Sequence, residues 1–174
     1  MIRAVTLETD RLMLKALSRE HCSSTYVKWM NDYDVIKYLE TGGDYTLKKL
    51  NDFLLEQEIK NILFWAIHMK KSNKHIGNIK IDPINYDDNS AEYGILMGDK
   101  KFWGNGFGYE ASKRVLKYCF EDLKLSFITL GVIEDNLNAI KLYKKIGFTT
   151  IKKIEGSGIY DNKLCNSLRM SLYA

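Results

Sequence analysis

Gly104, Gly106 and Gly108 alternate with Asn105 and Phe107 directly before a helical pattern. A residue without a Cβ lets the backbone come close to a ligand. The helix start that follows offers unpaired N–H groups and a partial positive charge, which together suit a phosphate or pyrophosphate. Tight packing explains many glycine runs, so this one gains meaning from its neighbours. The triphosphate loop GxxxxGK[ST] is excluded, because no Lys-Ser or Lys-Thr pair follows these glycines. The dinucleotide pattern GxGxxG/A is met by Gly106-Phe107-Gly108-Tyr109-Glu110-Ala111. That fold needs a series of βαβ units, however, and only one crossover follows here, so it stands as a minor rival.

The elements that must position the loop follow from periodicity. Residues 11–17 alternate as a strand. Ser18 caps a helix over residues 19–30, residues 33–39 form a short helix ended by Gly42-Gly43, and Thr46 caps a third helix. Residues 63–70 and 75–82 are strands joined by Ser72-Asn73-Lys74, residues 85–90 a polar loop, and residues 91–97 the next strand. A helix over residues 109–123, a strand over 127–133 and a helix over 136–146, stopped by Gly147, come next. Residues 149–159 and 164–172 close the chain as a hairpin across Asp161-Asn162. The expected class is α/β (α+β): a mixed, mostly antiparallel central sheet of about six to seven strands flanked by helices.

Composition sets the outer limits. A chain of 174 residues, 45% apolar and 28% charged with one proline, fits a single domain over residues 1–174 and excludes collagen-like or disordered classes. No window approaches the roughly 18–20 apolar residues of a membrane helix. Residues 1–8 carry no apolar signal segment, and Cys22, Cys119 and Cys165 are too spread for a disulfide framework or zinc site, so a cytoplasmic, metal-free protein is expected. A net charge of +4 is mildly basic and falls short of a dedicated nucleic-acid binder. The lysine groups, such as Lys113-Arg114-Lys117, read as solvated helix faces.

The run from Gly98 to Ala111, followed by the run from Asn136 to Phe148, resembles the acetyl-coenzyme A signature of the GNAT N-acetyltransferase superfamily. The opening Thr9-Asp10-Arg11-Leu12-Met13-Leu14 is similar to the RimJ/RimL-like branch. One departure stands at Trp103, where the superfamily's loop often has Gln or Arg. The resemblance implies that backbone N–H groups of Gly104, Asn105, Gly106, Phe107, Gly108 and Tyr109 hold the coenzyme pyrophosphate. It implies that the strand before the loop splays from its neighbour and hydrogen-bonds the pantetheine arm through Ile95, Leu96 and Met97. Asn136 resembles the coenzyme-contacting asparagine of the family, with a helix N-cap as its structural role.

Acetyl transfer to an amine requires removal of an ammonium proton, a held oxyanion and a protonated leaving thiol. Tyr143 resembles the general acid of the family. On spacing alone it is a core aromatic sharing a helical face with Ile140 and Ile146. Glu92 is the candidate general base, on a strand face with Gly94 and Leu96, where partial burial would raise its pKa; an exposed carboxylate and a water-relayed path are the alternatives. Cys119 reads as a buried small hydrophobe, and His21, His68 and His75 show no ligand spacing.

The acceptor pocket is assigned to the variable segments that hold Tyr33, Tyr38, Glu40, Asp44, Tyr45, Tyr160 and Asp161. A small-molecule amine, amino sugars among them, is favoured, and a peptide N-terminus is the nearest competitor. No nucleic-acid or membrane partner is expected, and homodimerisation is left open. Two other classes stay as rivals: a non-catalytic coenzyme or nucleotide sensor, and an RNA binder whose affinity would fall steeply with salt.

Overall fold

The structure, a computed structural model, describes residues 3–60, 62–160 and 163–174. Eight strands form one sheet: β1 (Leu7–Glu8), β2 (Leu12–Ala16), β3 (Leu63–Met69), β4 (His75–Asn85), β5 (Ser90–Met97), β6 (Phe127–Ile133), β7 (Thr149–Tyr160) and β8 (Lys163–Tyr173). Their order is β1-β2-β3-β4-β5-β6-β8-β7. Every neighbouring pair is antiparallel except β5 and β6, which are parallel and joined through a crossover helix. The helices are α1 (Ser24–Asn31), α2 (Tyr33–Ile36), α3 (Leu47–Lys60), α4 (Phe107–Glu121) and α5 (Leu137–Ile146). Among the described residues, no helix is long and apolar enough to cross a membrane.

Strand alternation sends side chains to two cores. Trp65, Ile67, Ile79 and Ile128 join Ala111, Val115 and Cys119 of α4 and Tyr143 and Ile146 of α5 in the larger core. Ala66 and Leu96 face the other way, against Tyr26, Trp29, Leu50 and Leu54 of α1 and α3. Each fully buried Leu or Ile contributes about 1.5–3 kcal/mol, so both layers are held on the sheet mainly by apolar burial.

Three expectations are corrected. The sheet has eight strands because two-residue β1, too short to show a period, pairs with β2 through Leu7↔Leu14 and Glu8↔Met13. The helix expected over residues 19–30 is broken into a 3-10 turn at Arg19–His21 and α1. Ser23 causes the break: it takes extended backbone angles, and its hydroxyl accepts from the Tyr26 N–H at 3.1 Å as the N-cap of α1. The crossover helix α4 begins at Phe107, because left-handed Gly106 (φ 79°) is its N-cap. The strand over 127–133 and the Thr46, Asn136 and Gly147 caps stand where the sequence puts them. The expected Asp161-Asn162 turn lies outside the described residues.

Candidate active site

The parallel pair β5–β6 holds only through Ser90↔Phe127, Ala91↔Ile128 and Glu92↔Thr129. Beyond that point β5 runs on to Met97 with β4 alone as its ladder partner, and β6 runs on to Ile133 against β8. The strands therefore fork, and one edge of residues 93–97 offers main-chain groups to a guest. The family resemblance implies a splay of this strand, with Ile95, Leu96 and Met97 on the freed stretch. Trp103, the departure noted in the loop, donates its indole N–H to the Met97 carbonyl at 2.7 Å and so fastens the glycine segment to the end of β5.

The first intrahelical bond of α4 runs from the Glu110 N–H to the Gly106 carbonyl at 3.0 Å. The N–H groups of Phe107, Gly108 and Tyr109 precede it and project from the helix start. Gly104 (φ 74°) and Gly106 (φ 79°) supply left-handed turns that other residues adopt only under strain. Ser112 donates to the Gly108 carbonyl at 2.6 Å, so the Tyr93 hydroxyl, also 2.6 Å from the Ser112 oxygen, is the donor to it. A buried chain of two hydrogen bonds thus ties the first turn of α4 to β5.

Arg11, from the opening segment of the chain, stands beside the loop. Its guanidinium lies 4.2 Å over the Phe107 ring and donates to the Asn105 carbonyl at 3.1 Å. Glu110 anchors it, taking the Arg11 Nε at 2.6 Å, the Arg11 backbone N–H at 2.9 Å and the Thr9 hydroxyl at 2.5 Å. Burial pushes the Glu110 carboxyl up, but those hydrogen bonds outweigh it and leave it below its ordinary pKa. Arg11 thus neutralises Glu110 at the helix mouth, while its guanidinium also reaches the loop at Asn105. Nothing short-range marks this pair, whose members are 99 residues apart.

Tyr143 is 7% exposed and packs edge-on against Tyr93, with ring centroids 6.0 Å apart. Tyr93 is the first residue past the fork, so the phenol borders the gap. Burial pushes its hydroxyl pKa up to about 12, which keeps it a proton donor at neutral pH. Among the described residues its hydroxyl makes no hydrogen bond. Asn136 accepts from the Ala139 N–H at 3.3 Å, its structural role as the α5 cap. Cys119 is fully buried and its thiol is pushed up to about 12 by burial, the profile of a packed hydrophobe and not of a nucleophile.

Glu92 lies at the fork, on the face opposite Tyr93. Glu92 is ion-paired: both carboxylate oxygens are taken by Arg169, at 2.9 Å from Nη1 and 2.8 Å from Nη2. Nη2 also donates to Thr129 at 3.1 Å. Two of the segments expected to build an acceptor pocket meet. Tyr38 stacks on Tyr160 with centroids 4.6 Å apart and donates to the Asp135 carbonyl at 3.1 Å. Lys100 ties Asp32 (2.7 Å) and Asp34 (3.0 Å), at the start of α2, to the loop after β5.

The three histidines, dispersed in sequence, also converge. His21, His68 and His75 have ring centroids 5.2–5.3 Å apart beneath α1. A groove of about 890 Å³ runs along α4 past Asp10, Lys113, Arg114 and Lys117, and it shares Thr9 and Glu110 with the helix mouth. It includes neither the loop glycines nor Tyr143.

Residues 11–149 match the family model described as Acetyltransferase (GNAT) domain, and that span contains the fork, the loop, Asn136 and Tyr143. The chain belongs to this family. The uncharacterized N-acetyltransferase p20 of Bacillus licheniformis is 28% identical over 82% of this chain and 82% of its own length. The acetyltransferase PseH of Campylobacter jejuni is 27% identical, covering 70% of this chain and 73% of the relative. A solved spermidine N-acetyltransferase from Vibrio cholerae, in complex with CoA and spermine, has the same fold, with a TM-score of 0.85 at 23% identity over 95% of this chain and 96% of that one.

This GNAT protein is therefore an acyltransferase, an N-acetyltransferase that draws on acetyl-CoA. Its own residues fit that donor. A pyrophosphate suits the projecting first-turn amides and the Arg11 cation, and a pantetheine arm suits the unpaired edge of β5. A Cβ added at Gly108 would sit 3.6–3.7 Å from Leu142, Ile95 and Met97, at the wall of the same gap.

Proposed function

We propose that this GNAT enzyme acetylates the primary amine of a small molecule by direct attack in a ternary complex. The single observation carrying this is the fork: β5 and β6 part beside the Tyr143 phenol, with the amides of α4 at one mouth and Glu92 on the opposite face. Phe107, Gly108 and Tyr109 hold the donor's pyrophosphate, with Gly104, Asn105 and Gly106 shaping the loop. Main-chain groups of Ile95, Leu96 and Met97 align the pantetheine, and a β5 N–H receives the developing oxyanion. Asn136 caps α5 and orients Tyr143 toward the sulfur.

The acceptor enters from the α1–α2 side. Glu92 takes one proton from its ammonium, the amine nitrogen bonds to the acetyl carbon, and the C–S bond breaks. Tyr143 protonates the departing thiolate and is restored by the second proton lost from the nitrogen. Glu92 passes its proton to water.

The Tyr38–Tyr160 stack bridges the two sides of the acceptor mouth, which favours a small molecule over a peptide N-terminus. The packing of Thr9 and Arg11 on Glu110 supports a place in the RimJ/RimL-like branch, whose opening motif these residues resemble. The test is thiol release from acetyl-CoA across amino sugars, amino-sugar nucleotides, polyamines and ribosomal peptides. Turnover with a small amine, abolished in Tyr143→Phe, is the expected result. Turnover with peptides alone would overturn the small-molecule acceptor, and saturable acetyl-CoA binding without thiol release for any amine would mark a sensor.

A further inference from the structure

The ion pair at the fork has a feature that acetyl transfer alone does not require. Arg169 sits on β8 opposite Gly131 of β6, two residues past Thr129, where β5 and β6 last pair. Its guanidinium crosses the parting strands to grip both oxygens of Glu92. The side chains are 33% and 38% exposed, so solvent reaches the pair from the acceptor side. Gly131 leaves one flank of the guanidinium open: a Cβ there would stand 3.5 Å from Nη1.

Several other carboxylates of this region are matched as well, although Glu40, Asp135 and Glu155 form no ion pair among the described residues. Glu134 is held by Lys153 at 2.8 Å, Asp44 by Lys49 at 2.6 Å, and Asp32 and Asp34 by Lys100. A polycation needs spare negative charge to replace its hydration, and the carboxylate nearest the fork is already neutralised by a bidentate arginine. An acceptor with an anionic group beside its ammonium meets the opposite situation. Its anion can take the fork-shaped donors of Arg169 while its ammonium takes Glu92, so one internal ion pair becomes two across the complex with no charge left bare.

Resting on the acetyl transfer proposed above, we propose that the acceptor carries a carboxylate or phosphate near its reacting amine, which displaces Glu92 from Arg169 and thereby frees Glu92 to remove the ammonium proton. Arg169 is then a specificity-determining residue and also a restraint on the base. An amine without an anion leaves Glu92 occupied and is acetylated slowly even when bound. The proton balance is that given above: the ammonium loses one proton to Glu92, which returns it to water.

The experiment pairs amines that differ only in the anion: glucosamine 6-phosphate with glucosamine, and γ-aminobutyrate with butylamine, with spermidine as the polycation. Binding to the CoA-saturated protein is measured by calorimetry, and turnover separately by thiol release. The wild type should bind the anionic member of at least one pair tenfold or more tightly, the pair concerned telling phosphate from carboxylate. Arg169→Gln should bring that ratio to within twofold and raise kcat for the neutral amine, which a merely structural arginine would not do. Glu92→Gln, which keeps the arginine, should tighten anion binding by removing its internal competitor, and this gain guards against a misfolded Arg169 variant. Tighter binding of spermidine or the neutral amines, or an anion preference that survives Arg169→Gln, overturns the proposal. Anion-selective binding without thiol release from any amine would keep it and remove the acetyl-transfer function, so the two failures are distinct.

Discussion

Gly108→Ala separates a glycine kept for folding from one kept for a ligand. Gly108 lies in the first turn of α4 with an ordinary φ, and a methyl there would meet Leu142 Cδ2 at 3.6 Å, Ile95 Cδ1 at 3.7 Å and Met97 Cγ at 3.7 Å. Those are normal contacts, so no clash offsets the helical advantage of alanine, about 0.5–1 kcal/mol. For a chain of this size the melting temperature should rise by about 1–4 °C. The same methyl adds bulk beside Ile95 and Met97, on the strand proposed to align the pantetheine, and acetyl-CoA should bind about tenfold more weakly. Scanning fluorimetry with and without acetyl-CoA reads both effects. At 100 times the wild-type Kd the ligand adds about 2.7 kcal/mol, and a tenfold loss of affinity cuts this to about 1.4 kcal/mol. Gly106→Ala should behave oppositely in the absence of ligand. At φ 79° an L-residue costs about 1–2 kcal/mol, a fall of about 2–8 °C. A Gly108→Ala protein whose ligand-induced shift equals that of the wild type would refute the assignment of this strand to the donor.

Other perturbations give further checks. Tyr143→Phe keeps the packing against Tyr93 and Phe148 and should retain acetyl-CoA affinity within about twofold while kcat falls about 100-fold or more. Because burial holds that phenol near 12, it stays protonated below that pH, and no alkaline limb of the rate at about pH 8–10 should trace to it; a limb that vanished in the variant would contradict this. Arg11→Ala should weaken acetyl-CoA binding about three- to tenfold at low salt, with the difference shrinking as ionic strength rises; a salt-independent loss would count against a phosphate contact.

The histidine cluster sets acid stability. Burial lowers His75 from 6.5 to about 4, so between those values the unfolded chain binds the extra proton, and stability is lost as pH falls from about 6.5 toward 4. The loss from His75 should approach about 3 kcal/mol, and a wild-type melting temperature that is flat across that window would exclude it.

What the sequence showed was local. Asn136 and Gly147 bracket α5 because cap preferences act within one turn, and the 127–133 strand carries enough β-branched and aromatic residues to mark itself. The 19–30 segment misled because helical periodicity runs through Cys22, whereas the Ser23 cap interrupts it with extended backbone. Most of the site's electrostatics was invisible for a different reason. Glu92 and Arg169 are 77 residues apart and Arg11 and Glu110 are 99 apart, and their partnership depends on a sheet order that no spacing encodes. The convergence of His21, His68 and His75 was hidden likewise, since it needs the 3-10 turn laid across β3 and β4.

A crystal structure with CoA bound measures the central claim most directly. The pyrophosphate oxygens should lie about 2.7–3.2 Å from the amide nitrogens of Phe107, Gly108 and Tyr109, with the thiol beside the Tyr143 hydroxyl and the pantetheine along residues 95–97. A pyrophosphate lodged instead in the groove outside α4, against Lys113 and Lys117, with the gap between β5 and β6 closed, would contradict it.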